Sequence, residues 1–314
     1  MPDFSRITVV SVDGRKGDHF GAQCAIRHSM NQLPGSRGLL LSPQLPKKLL
    51  PGIDHQTIAP LGYFDYSLFI VYLLHHYIHT DFALIVQEDG WVLNGSNWND
   101  AYLDFDYIGA PTHFARIVSP AGEQYFRNFR WAQFYRQHSE TVALNVAMNG
   151  GFSLRSQKML KAPQALGLEY TLPPPSLAQP SNAMRWESDA HVEDVQLSIH
   201  MREHLCQAGI RFANLELAKQ FSIEHLDPVF HADTDMLGIF GHHSKIRKLV
   251  SLEPLTIQYL VNENQINALP LESYFVNIFK KLGYQITFQS ETNANPAPRL
   301  PAEPEKLSQL NLEL

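Results

Sequence analysis

The stretch ALIVQEDGWVL, residues 83–93, decides how the chain is read. Ala83 to Val86 form a short continuous apolar run of the kind buried on both faces of a sheet. The run stops abruptly at Gln87, Glu88, Asp89 and Gly90. Asp-Gly is an ordinary turn former, so a polar turn accounts for the ending. Carboxylates at the C-terminal end of a central α/β strand also sit where such folds bind ligands, above the sheet edge. Strand alternation puts Gln87 and Asp89 on one side and Glu88 on the other. Glu88 and Asp89 are therefore not expected to chelate one ion together. One carboxylate such as Asp89 suffices for a hard divalent cation, Mg2+ or Mn2+, because substrate phosphates and water complete its shell.

Outward from this stretch the pattern is that of an α/β fold with a mainly parallel central sheet flanked by helices. ITVVSV, residues 7–12, ends at Asp13-Gly14 and reads as a first buried strand. Residues 17–35 carry an Asp18 cap and near-helical apolar spacing, and residues 38–41 give a second short strand. Strand, helix, strand implies a parallel start. Apolar residues at 63, 66, 70, 73, 74 and 77 predict a helix from Tyr63 to Ile78 that leads into a third parallel strand, Phe82 to Val86. A short strand is expected at Tyr107 to Gly109, with Pro111 ending regular pairing. Residues 112–140 form a polar, aromatic, Arg-rich insertion whose FRNFRWAQFYRQ (126–137) could stack on a sugar or pack as a core helix. NVAMNGGFSLRS (145–156) reads as a strand with a glycine pair, followed by a helix from Ser156. The Pro-rich residues 168–188 form a long irregular loop of the kind that serves as a lid. Residues 192–209 read as a helix, RFANLELAKQF (211–221) as a strand, and residues 272–288 as a helix and strand. A disordered tail is expected over 290–314.

The gross numbers exclude several classes. With 314 residues and a net charge of −6, the chain has no basic footprint for a phosphate backbone, so nucleic acid is not expected as a partner. Cys24 and Cys206 lie far apart without CxxC spacing, against a disulfide framework or thiolate zinc site. The N-terminus lacks a basic region followed by an apolar segment, so a cytoplasmic location is expected. Leu68 to Leu74 is broken by His75 and His76 and falls short of the ~20 residues of a membrane span, which leaves only peripheral membrane association open.

Three further groups could carry chemistry. Asn149, Gly150 and Gly151 permit close backbone approach by a ligand, or form a turn or bulge. Glu193 and Asp194 at a helix start complement the helix dipole, or one serves as a general base. His242 and His243 are adjacent, so on an extended segment only one joins a given site, where imidazole plus the Asp89 carboxylate suits Mn2+. His191-Val192-Glu193 is not the spacing of a helical zinc protease.

Taken in order, QEDGWVLNGSNWNDAYLDFDYIGAP, NGGFSLRS, EDVQLS and FGHH resemble a family of glycosyltransferase-like proteins that goes mostly by the description of a domain of unknown function. The resemblance covers roughly residues 60–245. More distantly, the chain resembles nucleotide-sugar glycosyltransferases of the GT-A fold. That resemblance implies one domain over 1–289, with a nucleotide half at about 1–110, an acceptor half at about 111–250 and a C-terminal helix and strand at about 251–289. It implies a nucleotide-sugar donor, a UDP-sugar first among them, a glycan or glycolipid acceptor, and a role in polysaccharide biosynthesis. Asp89 matches the last acid of the Asp-x-Asp metal motif, and Gln87 stands where its first Asp would be. Val10, Ser11 and Asp13 would lie beside base and ribose, with Gln87, Glu88, Asn149, Gly150 and Gly151 lining the donor side. Asp194, or else Glu193, would be the base of an inverting transfer. His243, or else His242, would complete the metal site with Asp89. A non-catalytic nucleotide-sugar or glycan-binding protein of the same fold is the alternative, kept open by Gln87. A metal-dependent phosphoesterase is a third.

Overall fold

The computed structural model describes residues 2–119, 122–131, 143–179, 183–186, 189–267 and 270–289. The tail expected over 290–314 and residues 132–142, which hold the end of the Arg-rich insertion, lie outside these. The core is a seven-stranded sheet. Its first half is built from β1 (Ile7–Val12), β2 (Arg37–Ser42), β3 (Ile53–Thr57) and β4 (Phe82–Ile85), all parallel in the order β3-β2-β1-β4. All six residues of β1 are buried, because both faces of the strand are covered. Ile7 and Val9 enter one apolar cluster with Ala22, Ala25 and Ile26 of helix α1 (Phe20–Gln32). Val10 and Val12 enter another with Phe69 and Ile70 of helix α2 (Tyr63–Tyr72). The period of two thus sorts one strand between two helical layers.

After β4 the chain leaves the sheet in β5 (Gly90–Val92) and returns in β6 (Tyr107–Ser119), β7 (Gly122–Arg127) and β8 (Ala143–Ser156). Strand β8 runs antiparallel to both β4 and β6, and β7 antiparallel to β6. Five of the seven strands therefore share one direction, with β7 and β8 reversed. Helix α3 (Gln157–Ala165) follows β8 at once, and Ser156 caps it by accepting from Met159 N at 3.0 Å. Short strands β9 (Ser176–Ala178) and β10 (Ala183–Arg185) pair as antiparallel neighbours in the Pro-rich region. Strands β11 (Ser222–Ile223) and β12 (Gly241–His243) pair in parallel, and β12 pairs antiparallel with β5. Strands β13 (Arg247–Leu252), β14 (Leu255–Tyr259) and β15 (Gln285–Phe288) form a separate three-stranded sheet beside the helix Pro270–Lys281.

Several sequence expectations need correction. ALIV is the fourth parallel strand, not the third, because IDHQT forms the edge strand β3; only Ile53 of it is buried, so it lacks the apolar run that marks its neighbours. Helix α2 stops at Tyr72, and a 3-10 turn, Leu74–His76, replaces the expected last helical turn. Pro111 does not end pairing. Strand β6 continues past it, with register shifts between Gly109 and Pro111 and between Pro111 and Ala115 absorbing the missing N–H. RFANLELAKQF is not a strand: Asn214 accepts from Leu217 N at 2.8 Å and caps a helix, Leu215–Phe221. Only an isolated bridge from Phe212 to Tyr107 is extended pairing there.

Candidate active site

The site is assembled where β4 ends. Register places Ile85 opposite Ser153, so Asn149 to Gly151 of the antiparallel β8 run on beside Gln87 to Asp89. Gln87 and Gly90 exchange backbone hydrogen bonds at 2.9 Å, which closes the turn holding Glu88 and Asp89. Strand β5 then pairs Gly90 with His243 and Trp91 with His242. The two histidines accordingly point in opposite directions. His242 is fully buried and meets Trp91 edge-on at 4.1 Å, and burial holds its pKa well below the usual value. The structure does not bring it to Asp89.

His243 faces the site. Its Nε2 lies 3.5 Å from Asp89 Oδ1 and 3.3 Å from Gln87 Oε1, and its Nδ1 lies 3.5 Å from Glu224 Oε1 and 3.2 Å from Asn149 Nδ2. Burial alone would lower the pKa of His243; Asp89 and Glu224 outweigh it and raise it. The Glu224 carboxyl, despite burial, is pulled down to about 2 by its hydrogen bond to His243 and by nearby positive charge. Gln87 is held from its other end, donating from Nε2 to the Tyr66 hydroxyl at 2.8 Å. Asp89 and Gln87 thus share one side, while the Glu88 carboxylate turns to Lys248 at 2.6 Å and Arg15 at 2.9 Å.

Two oxygen or nitrogen ligands of one divalent ion at about 2.1 Å stand about 3–4 Å apart. Asp89 Oδ1 and His243 Nε2 meet that spacing and could hold one ion between them. Among the described residues no group of three or more His, Cys, Asp and Glu is arranged to hold a metal. Asp89 and His243 are the two such ligands among the described residues here, and the remaining positions would fall to substrate oxygens and water.

On the other side of the glycine pair stand Glu193 and Asp194, at the start of a helical segment that continues as a π-helix over Gln196–His200. Glu193 is buried and bonds Arg155 Nη2 at 3.3 Å. Arg155, itself only 1% exposed, also donates to Ser153 Oγ at 3.1 Å and to the Tyr107 hydroxyl at 3.3 Å. Asp194 accepts from Gly150 N at 3.2 Å and from Val195 N at 2.7 Å. Those bonds favour its ionised form, yet burial and the neighbouring Glu193 and Glu224 push its carboxyl up to about 8. A Cβ on Gly150 would overlap Glu193 Oε1, and one on Gly151 would lie 2.5 Å from His243 Nε2. The glycine pair is what lets both groups close on β8.

The remaining expected donor residues lie at the end of β1. Val10 points into the apolar layer against α2, and Ser11 is buried. Asp13 binds Arg15 through Nε at 2.8 Å and His19 through Nδ1 at 3.0 Å; those bonds outweigh burial and lower its pKa. Sequence reasoning missed Glu224, Arg155 and Tyr66. Arg155 was visible as a charge inside an otherwise buried strand, whereas nothing near Glu224 in the sequence marks it.

A family model described as Protein of unknown function (DUF5672) matches residues 68–243, more than half of the chain. The chain belongs to this family. The DUF5672 segment contains both acid pairs, Arg155 and Glu224, and ends at His243, while Asp13, Tyr66 and Lys248 lie outside it. No curated protein matches the chain. Among solved structures it is similar to the galactosyltransferase LgtC in complex with donor and acceptor sugar analogues, at 13% identity and TM-score 0.41 over 76% of this chain and 87% of that one. It is similar also to an active-site mutant of LgtC, at 12% identity and TM-score 0.41 over the same shares.

Proposed function

We propose that the chain is a glycosyltransferase that moves a sugar from a nucleotide-sugar donor to a hydroxyl of a glycan or glycolipid acceptor with inversion. The observation that carries this reading is the pairing of two unlike centres across Gly150 and Gly151. One is the Asp89, His243 and Gln87 group at the end of β4; the other is Asp194, a carboxyl pushed up to about 8 beside a buried ion pair. Inverting transfer needs both kinds of group. The acceptor hydroxyl must lose a proton as the new bond forms, and a base works best when its pKa lies near the working pH. Asp194 meets that requirement, with Glu193 held by Arg155. The leaving nucleoside diphosphate gathers negative charge. Asp89 and His243 would hold Mn2+ or Mg2+, which stabilises that charge as a Lewis acid.

A second reading has a specific observation in its favour. Gln87 is bonded at both ends, to Tyr66 and to His243, in the place where an acid would add negative charge. A binder of nucleotide sugars or glycans without turnover is compatible with that closed amide. Nucleotide sugars screened by thermal shift with and without Mn2+ test both readings, since a ligand of the native state raises the midpoint. A transferase shows a donor-dependent, Mn2+-dependent shift and slow donor hydrolysis; a binder shows the shift alone. Asp194→Asn should abolish hydrolysis and transfer while keeping the shift. Retained turnover would remove Asp194 from the role of base.

A further inference from the structure

Helix α2 brings two tyrosines to residues around the site. Tyr66 is fixed to Gln87, and Tyr63, one turn earlier on the same helix face, leaves 60% of its surface exposed. The Tyr63 ring stands 5.8 Å from His191, which stacks on Trp186 with ring centroids 5.0 Å apart and planes 10° from parallel. Phe64 backs Trp186 at 5.7 Å. A purely packing role would cover Tyr63; here its ring is left mostly open beside His191, three residues before Asp194. After desolvation, the charges of Glu193, Asp194, Asp189 and Glu224 raise the Tyr63 phenol, so these acids lie within electrostatic reach of the ring.

We propose that Tyr63 and the Trp186–His191 stack form a platform for one neutral pyranose ring of the acceptor, seated so that a hydroxyl reaches Asp194. The inference rests on the reading of Asp194 as base and adds the substrate class of that side of the site. A sugar ring has one apolar C–H face, suited to a flat aromatic surface, and a rim of hydroxyls that donate to carboxylates. A phosphate or uronate would have to displace one of these carboxylates to pair with a cation here, whereas an uncharged sugar needs no such partner, which favours a neutral ring over a second nucleotide. Arg127 binds Asp189 at 2.6 Å, Arg155 binds Glu193 at 3.3 Å and His243 faces Glu224 at 3.5 Å, so each of these cations already serves a carboxylate.

The test uses the full chain and a panel of neutral methyl glycosides and lactose, with methyl glucuronide as the anionic comparison, followed by saturation-transfer NMR and tryptophan fluorescence. Neutral glycosides should bind, with the glucuronide at least several-fold weaker. Tyr63→Ala should weaken the best glycoside roughly tenfold, the scale of one lost aromatic contact, and Tyr63→Phe, which keeps the ring and serves as the folding control, should stay within about twofold. No glycoside binding, or equal affinity in Tyr63→Ala, overturns the platform. Glycoside binding that depends on Tyr63, in a chain that neither binds nor hydrolyses any nucleotide sugar, upholds the platform and overturns the transferase reading instead.

Discussion

Asp89 and Glu224 face the two nitrogens of one histidine, whereas Glu193 and Asp194 stand beside one guanidinium that reaches only the first of them. The chemistry of the side chains is the same on both sides of the glycine pair, and their electrostatics are opposite. Around His243 each carboxylate has the imidazolium within 3.5 Å, and Glu224 falls to about 2. Across β8, Arg155 spends its Nη2 on Glu193 and Tyr107, and Asp194 rises to about 8. Burial pushes both Asp194 and Glu224 up; at Asp194 the neighbouring acids add to it, whereas at Glu224 the bond from His243 and nearby positive charge outweigh it.

The Glu193 side of the glycine pair depends most on Arg155. Arg155→Met keeps most of the volume beside the Tyr107 ring, which the guanidinium approaches to 4.7 Å, but leaves Glu193 buried without its partner. A loss of about 3–5 kcal/mol in unfolding free energy is expected, the scale for one orphaned member of a buried pair. Adding Glu193→Gln should recover much of that loss, because the uncompensated charge disappears. Urea denaturation of the two variants and the parent reads this directly. If the single variant is as stable as the parent, the bond to Arg155 is not what holds Glu193 in the interior.

A smaller and pH-dependent effect belongs to Asp194. Its folded pKa lies above the ordinary carboxylate value of 3.8, so the folded chain holds the proton more tightly than the unfolded chain. Its contribution to stability is therefore greatest below about pH 4 and falls as pH rises toward about 8. Asp194→Asn removes that slope. The variant should gain in midpoint over the parent at pH 8 and gain little at pH 4, in parallel thermal melts. A difference that is flat across this window would mean that Asp194 ionises as an ordinary surface acid. His243 has the same sign, since its raised folded pKa gives stability below 6.5 that is lost as pH climbs through the folded value.

The parallel half of the sheet was legible because ITVVSV and ALIV are covered on both faces and read as continuous apolar runs. The exposed edge strand IDHQT carries no such run and escaped notice. The long β6 was hidden by Pro111, whose missing N–H is absorbed by irregular pairing that only the three-dimensional register reveals. At the site, alternation along Gln87, Glu88 and Asp89 was readable from the strand alone, as were the opposed directions of the histidine pair. Arg155 could have been found as a cation within an apolar strand. Glu224 could not, since its role arises from β11 pairing beside β12, a contact set by tertiary packing of residues that are distant from β4 in sequence.

The smallest expected effect concerns His242, and it sharpens the contrast with its neighbour. The ring is packed between Trp91 and Phe279, its Nε2 has no hydrogen-bond partner among the described residues, and Arg247 Nη2 approaches Nδ1 only to 3.5 Å. In that apolar setting burial keeps the imidazole neutral, and the ring is turned away from Asp89. His242→Phe preserves the edge-on contacts and removes the orphaned nitrogen at the cost of a slightly larger ring. A stability change under about 1.5 kcal/mol is expected, within the range of near-isosteric swaps, and the donor-induced thermal shift should match the parent. His243→Phe, one residue later, should lose that shift, because its ring would replace the imidazole that Asp89 and Glu224 share. If the two substitutions affected donor binding equally, the division between a structural histidine packed into the apolar core and a functional one facing Asp89 would fail, and with it the assignment of His243 to the donor side.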